Sequence, residues 1–310
     1  MLFKKKEVKK IPVIIDCDTG IDDAVALMMA IKSDKLDIKL ITTGVGNVET
    51  NQAAQNCLNV LELVGADDIP VVAGENKCLE KDRPRVAVHG IGGLGGYTFE
   101  ENSRRLAEGS AIENLYKTLS ESEEKITIIC LAPPTNIARL LKKHKDVESK
   151  IERIVFMAAS IEEIEKGEIP YAEFNVAVDP EAVEVVLKSK IPLEIVPMEM
   201  GHTAYLDWQD VFKTKNENFA GSVLEIIYRK YKDRHVKNGI ATHDGCAVAY
   251  VTNPEIFETK PVNLQLKFVD SLKTGVVMMN FNKKANAKTC TKINIPAFKK
   301  LYFKALKKCK

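Results

Sequence analysis

Four carboxylates, Asp16, Asp18, Asp22 and Asp23, fall within eight positions of VIIDCDTGIDDAVAL, between one apolar run and the next. Like charges this close repel, and a carboxylate packs poorly, so the crowding calls for compensation. Val13 to Ile15 predict a buried strand ending at Asp16. Gly20 permits a tight turn, and Asp22 and Asp23 open a helix whose Ala24, Leu27, Met28 and Ile31 face the sheet. The positive end of that helix offsets about 1 kcal/mol or less per group, too little for a cluster at the end of a buried strand. A divalent cation compensates better, and an all-oxygen donor set suits Ca²⁺ or Mg²⁺ and not zinc. In the other reading Asp22 and Asp23 only cap the helix, while Asp16 and Asp18 reach solvent.

Two further stretches bear on the choice. THDGCAVAY sets His243 beside Asp244 at the start of an apolar helix, where Asp244 can serve as a distant metal ligand. YAEFNVAVDPEA offers Glu173 and Asn175, alternate residues whose side chains share a direction on an extended segment. A lone His-Asp pair is most often a helix cap next to a solvated ring.

These residues need a frame. The candidate strands IPVIID, IKLITTGV, PVVAG, KITIICLA, RIVFMA and LEIVPM alternate with helical patterns at AVALMMAIK, NQAAQNCLNVLELVG, AIENLYKTLSE, TNIARLLKK and DPEAVEVVLKS. Near-continuous apolar strands with helical crossovers predict an α/β fold, a mostly parallel central sheet flanked by helices in the Rossmann-like manner. Ligands bind such sheets beyond the carboxyl ends of the strands, where the acidic cluster lies. Three segments break the alternation: a Gly-rich loop at 76–100, an acidic loop at 160–175, and a helical stretch from about Asn218 to Tyr250. After the last, VNLQLKFVD and TGVVMMNFN form a candidate hairpin, giving a C-terminal helical and hairpin extension. With no repeat, low-complexity tract or linker, residues 1–310 read as a single domain behind a basic segment at 1–10.

Bulk properties exclude several classes. A net charge of +2 gives no strong field toward nucleic acid, and no apolar stretch is long enough to span a bilayer. MLFKKKEVKK lacks the apolar core of a secretory signal. Seven scattered cysteines without a C-x-x-C pair fit buried thiols in a reducing, cytoplasmic setting.

Together the motifs resemble the inosine-uridine preferring nucleoside hydrolases, Ca²⁺-dependent ribonucleoside N-ribohydrolases. The family signature D-x-D-P-G-x-D-D-A stands here as DCDTGIDDA, followed in family order by TTGVGN, HGIGGLGG, PPTNIA, AEFNVAVDPEA and THDGCAVAY. The match runs from about residue 11 to the C-terminal end. The resemblance implies that Asp18 binds Ca²⁺ and is the general base on a metal-bound water. Asp23, Asp244 and the backbone carbonyl of Leu131 complete the protein ligands. Asp22 and Asn175 then hold ribose hydroxyls, Asn47, His89 and Glu173 line the sugar pocket, and His243 protonates the leaving nucleobase. The chemistry agrees: N-glycosidic cleavage passes through an oxocarbenium-like state, which carboxylates stabilise and an acid at the leaving group assists. The resemblance also implies a homodimer or homotetramer and a role in purine or pyrimidine salvage, with a small ribonucleoside as the partner and no nucleic acid or membrane.

The chain departs from the family at Thr19 (usually Pro), at Gly167 (commonly Asn), and at Ala158–Ala159 (usually Gly-Gly), where extra methyls are expected to narrow the pocket floor. Tyr231 and His235, one helical turn apart in YRKYKDRH, are expected to face the nucleobase, with His235 either a second proton donor or an exposed residue of a charged helix. His202 reads as a structural hydrogen-bonding residue. GIGGLG satisfies G-x-G-x-x-G but lacks the strand before it and the helix after it that a dinucleotide site requires. DCDTG also approaches the D-x-D-x-[TV] of haloacid dehalogenase-type phosphatases, yet Gly20 stands in the Thr/Val slot. A third alternative is a catalytically silent nucleoside- or ribose-binding homologue that retains the site.

Overall fold

The computed structural model describes residues 9–66, 68–82, 88–101, 103–161, 172–231, 235–269 and 274–309. Gly167 and most of the basic N-terminal segment lie outside them. The elements, in chain order, are β1 (Ile11–Cys17), α1 (Ile21–Ile31), β2 (Leu36–Thr43), α2 (Thr50–Leu63), β3 (Val71–Ala73), α3 (Ala111–Glu121), β4 (Ile126–Cys130), α4 (Thr135–Lys143) and β5 (Ile151–Met157). They continue with α5 (Phe174–Val178), α6 (Pro180–Lys188), β6 (Leu193–Val196), α7 (Met198–Thr203), β7 (Leu206–Asp207), α8 (Trp208–Lys215) and α9 (Phe219–Tyr228). The chain ends with β8 (Gly239–Ile240), α10 (His243–Thr252), β9 (Phe257–Phe268), β10 (Gly275–Asn280), β11 (Ala287–Ile293) and α11 (Ile295–Leu306).

Among the described residues nine strands form one sheet in the order β10-β9-β11-β6-β5-β4-β1-β2-β3. From β6 to β3 all neighbours are parallel, because each crossover carries a helix. Both faces are covered. Val13, Ile15 and Cys17 of β1 point into the core under α1, α2 and α9–α11, while Ile14 points into the core under α3, α4 and α6. Two covered faces leave no polar side for a central strand, which is why the strands read as unbroken apolar runs. Burying each such Val, Ile or Leu side chain stabilises the fold by roughly 1.5–3 kcal/mol. Helix α1 is buried on every side from Ile21 to Ala30, so its only charged residues are the pair at its N-terminus.

The hairpin is part of the main sheet and not an appendage. β9 and β10 pair antiparallel, and β9 joins the parallel strands through β11, which runs antiparallel to β9 and parallel to β6. β11 (AKTCTKI) was not expected: only Thr289 and Cys290 of it are buried, so it lacks the apolar run that marks the other strands. The helical reading of YRKYKDRH is corrected as far as Tyr231, residues 232–234 lying outside the described ones. α9 ends at Tyr228, closed by Lys230 and Tyr231 N–H bonds to Ile227 and Tyr228 carbonyls, because the charged run beyond has no apolar stripe to bury. The pocket-narrowing expectation is also corrected. Ala158 and Ala159 pack into the core beside Phe156, Val183 and Ile195 rather than lining the site.

Ala159 adopts φ 68°, a left-handed conformation that strains an L-residue with a Cβ. Ala159→Gly should therefore raise stability by roughly 0.5–1 kcal/mol, the relief outweighing the added freedom of the unfolded chain. Calorimetry should show a midpoint raised by about 1–2 °C; a lowered midpoint contradicts the strain assignment.

Candidate active site

Five adjacent strands end beside one cavity of about 450 Å³: β1 leads to Asp18, β2 to Asn47, β4 to Leu131, β5 ends at Met157 and β6 leads to Met198. β1 and β4 are neighbours from which the chain winds outward in opposite directions, and such a reversal opens a crevice in a parallel sheet. Asp18, Asp22, Asn47, His89, Leu131, Glu173, Asn175, Tyr231, His235, His243 and Asp244 all line this cavity. Asp23 does not. It sits directly behind Asp18, with Oδ1 accepting from Asp18 N–H (3.2 Å) and Oδ2 from Gly20 N–H (2.8 Å).

The acidic turn is held by close backbone packing. Gly20 has φ −102°, so the turn does not require a left-handed residue. A Cβ there would stand 2.8 Å from both Asn47 Nδ2 and the His89 ring, so the need is for space. Gly46 is tighter still, since its Cβ would lie 1.7 Å from Asp18 Oδ2. That approach lets Asn47 N–H donate to Asp18 Oδ2 at 2.7 Å. Beneath, Asp16 Oδ1 accepts from Thr42 Oγ1 (2.5 Å) and Asn136 Nδ2 (2.8 Å), while Oδ2 is buried with no hydrogen-bond partner. Asp16 O accepts from Leu131 N–H (2.7 Å), fixing the loop that presents the Leu131 carbonyl.

Burial pushes Asp18 and Asp244 well above the ordinary carboxylate range, and neighbouring carboxylates push further: Asp23 on Asp18, and Asp22, Asp23 and Asp18 on Asp244. Burial raises Asp16 and Asp23 to about 6, against the hydrogen bonds they accept. No lysine or arginine among the described residues lines the cavity. Among the described residues no three His, Cys, Asp or Glu side chains stand as a finished metal cage. The donor set is nonetheless one a hard cation takes, being carboxylate and carbonyl oxygens with no sulfur. A cation is also the charge that this group of buried acids lacks.

On one side of the cavity, Asn175 Nδ2 donates to the carbonyls of Leu131 and Met157, each at 2.9 Å, leaving Oδ1 as its acceptor. Glu173 accepts from the N–H groups of Asn175, Ala159 and Val176. On the other side His89 Nδ1 accepts from Ile21 N–H (2.9 Å), so its proton is on Nε2, and its ring lies 5.0 Å from Tyr231. His243 Nδ1 lies 3.0 Å from Met198 O. A carbonyl only accepts, so Nδ1 carries hydrogen and Nε2 is the nitrogen that gains or releases the second proton.

A model of the inosine-uridine preferring nucleoside hydrolase family matches residues 13–300. The chain belongs to this family. It is 36% identical over 256 residues to a pyrimidine-specific ribonucleoside hydrolase, RihA, of Salmonella paratyphi B, covering 80% of this chain and 82% of that protein. It is 37% identical over 257 residues to the protein of the same name in Citrobacter koseri, covering 80% and 81%. A solved inosine-guanosine nucleoside hydrolase superposes with a TM-score of 0.86 at 26% identity, over 95% of this chain and 98% of that one. A plant nucleoside hydrolase gives 0.85 at 25%, over 96% and 99%. The α/β fold with its mostly parallel sheet is thus the fold of nucleoside hydrolases.

Within this nucleoside hydrolase the sequence reading missed the apolar lining of Met157, Phe174 and Met198, together with the support of Asp16 by Thr42 and Asn136. Met157 and Met198 had a signal: each stands at or just after a strand's carboxyl end. Asn136 had only its place in PPTNIA, which does not show its partners, 61, 93 and 120 residues away.

Burial pushes Glu173 up to about 7 although three backbone N–H groups pull the other way. Its folded pKa exceeds its unfolded one, so its stabilisation is present below the unfolded value of 4.5 and is lost as pH rises through about 7. Asp16 and Asp23, both near 6, act in the same sense. In chelator-treated protein the thermal midpoint should fall between about pH 5 and pH 8, and Glu173→Gln should flatten the upper half of that fall. An identical slope in the two proteins would show that Glu173 does not hold a proton there.

Proposed function

We propose that this chain hydrolyses the N-glycosidic bond of ribonucleosides to free nucleobase and ribose, with Ca²⁺ held by Asp18, Asp23, Asp244 and the Leu131 carbonyl. The observation that carries the reading is one cavity with carboxylates and amides at its floor and His89, Tyr231, His235 and His243 around it. The oxygen donors suit a hard cation for which the buried acids supply the negative charge. When bound, such a cation polarises a water, lowers its pKa and helps to orient the sugar. The family assignment supports the reaction.

Asp18 accepts the proton of the attacking water, its other oxygen being anchored by Asn47 N–H. Asp22 and Asn175 bind ribose hydroxyls, and Asn47, His89 and Glu173 close around the rest of the sugar. The buried carboxylates favour positive charge growing on the ring as the bond breaks. His243 enters as imidazolium, keeps its Nδ1 hydrogen on Met198 O and gives the other proton to the departing base. Tyr231 and His235 flank the base. Asp23 contributes from the layer beneath Asp18.

Seven buried free cysteines support a reducing, cytoplasmic setting, in which salvage is the natural role. Among the described residues no helix is long and apolar enough to cross a membrane. Exposed Phe212, Phe219 and Ile226 on α8 and α9 support a homodimer or homotetramer. The pyrimidine-specific relatives make uridine and cytidine the first nucleosides to try, with inosine beside them.

A reducing-sugar assay over that panel should show turnover that chelator removes and calcium restores. Binding of nucleoside with no ribose released would favour the silent-binder alternative. Asp18→Ala should lower kcat by roughly 10³-fold or more and abolish the calcium-induced rise in melting temperature; wild-type values of both would end the mechanism. His243→Ala should slow natural nucleosides while sparing a riboside with a nitrophenolate leaving group, which departs without an acid. Equal losses on both would remove His243 from the acid role.

A further inference from the structure

Helices α7 and α10 meet at the leaving-group side of the cavity with only Gly201 between them. A Cβ on Gly201 would lie 2.3 Å from His243 Nδ1 and 2.6 Å from the His243 backbone. This close approach seats the next residue of α7, His202, against two rings of the cavity wall. Its centroid is 4.7 Å from that of His243, edge to face at 76°, and 4.5 Å from that of His235 at 42°. His202 itself does not line the cavity, whereas His235 and His243 do. It can therefore act on substrate only through its neighbours.

The Met198 carbonyl holds one atom of the His243 ring. A ring packed at 4–5 Å adds an orientational restraint to that hydrogen bond. We propose that His202 is a positioning residue, holding the His243 imidazole where Nε2 meets the departing nucleobase and holding His235 beside it. The proposal rests on His243 being the leaving-group acid.

The test compares His202→Ala, His202→Gln, His202→Phe, His243→Ala and the His202→Ala/His243→Ala double variant, with uridine and p-nitrophenyl riboside as substrates and melting temperature as a check on folding. Loss of ring packing should lower kcat on uridine roughly ten- to hundredfold in both the Ala and Gln variants, with KM held within about twofold. Turnover of the nitrophenyl riboside should stay near wild type. His202→Phe, which restores a ring, should recover most of the loss. In the His243→Ala background His202→Ala should cost far less than in the wild type, because the acid ring it positions is gone. Full uridine turnover in His202→Ala and His202→Gln, an equal loss on both substrates, or a loss that adds in full to that of His243→Ala would each overturn the proposal. Wild-type uridine turnover in His243→Ala would instead remove the acid reading, and this proposal with it.

Discussion

Carboxylates buried at the ends of the central strands are the constraint around which the site is built. Asp16, Asp18 and Asp23 are at most 1% exposed, and Asp22 and Asp244 only 5%. Removing an ionised carboxylate from water costs several kcal/mol unless its oxygens are answered. The fold answers them in part: Asn47, Asp18 and Gly20 give backbone N–H groups, and Thr42 and Asn136 give side-chain donors. Hydrogen bonds of this kind lower the carboxyl pKa values, yet burial still wins and holds Asp16 and Asp23 near 6. What remains is negative charge with no basic side chain beside it among the described residues, a demand that a bound cation meets.

The same constraint explains the local backbone. Donors must stand within hydrogen-bond reach of carboxylates that are themselves packed on a sheet end, so chain must approach side chain more closely than any Cβ allows. Gly46 over Asp18 and Gly20 against Asn47 and His89 are the two places where this is decided. Neither uses the conformational freedom of glycine; both use its lack of a side chain.

The two halves of the cavity share a backbone. Ala159 N–H donates to Glu173 on one side, and Ala159 O accepts from Met198 N–H. Met198 O in turn holds His243. A residue strained into the left-handed region therefore joins the Glu173 carboxylate to the His243 ring. This arrangement gives Ala159 a reason to keep its conformation even with a methyl group attached.

Much was legible in the chain itself. Doubly buried strands must be apolar throughout and helices between them must be one-sided or fully apolar, so the parallel core and its crossovers could be read from local pattern. The acidic turn was legible for the opposite reason: four aspartates in eight positions contradict packing, and such a contradiction marks chemistry. The tertiary structure alone decided which carboxylates face the cavity, placing Asp23 behind Asp18, and where Tyr231 and His235 sit once α9 stops at Tyr228. It also decided what supports them, from Asn136 under Asp16 to His202 behind His243. Periodicity reports which side of an element is apolar, a local property. Support and ring packing depend on distances between residues remote in the chain, which only the closed sheet and its packed helices define.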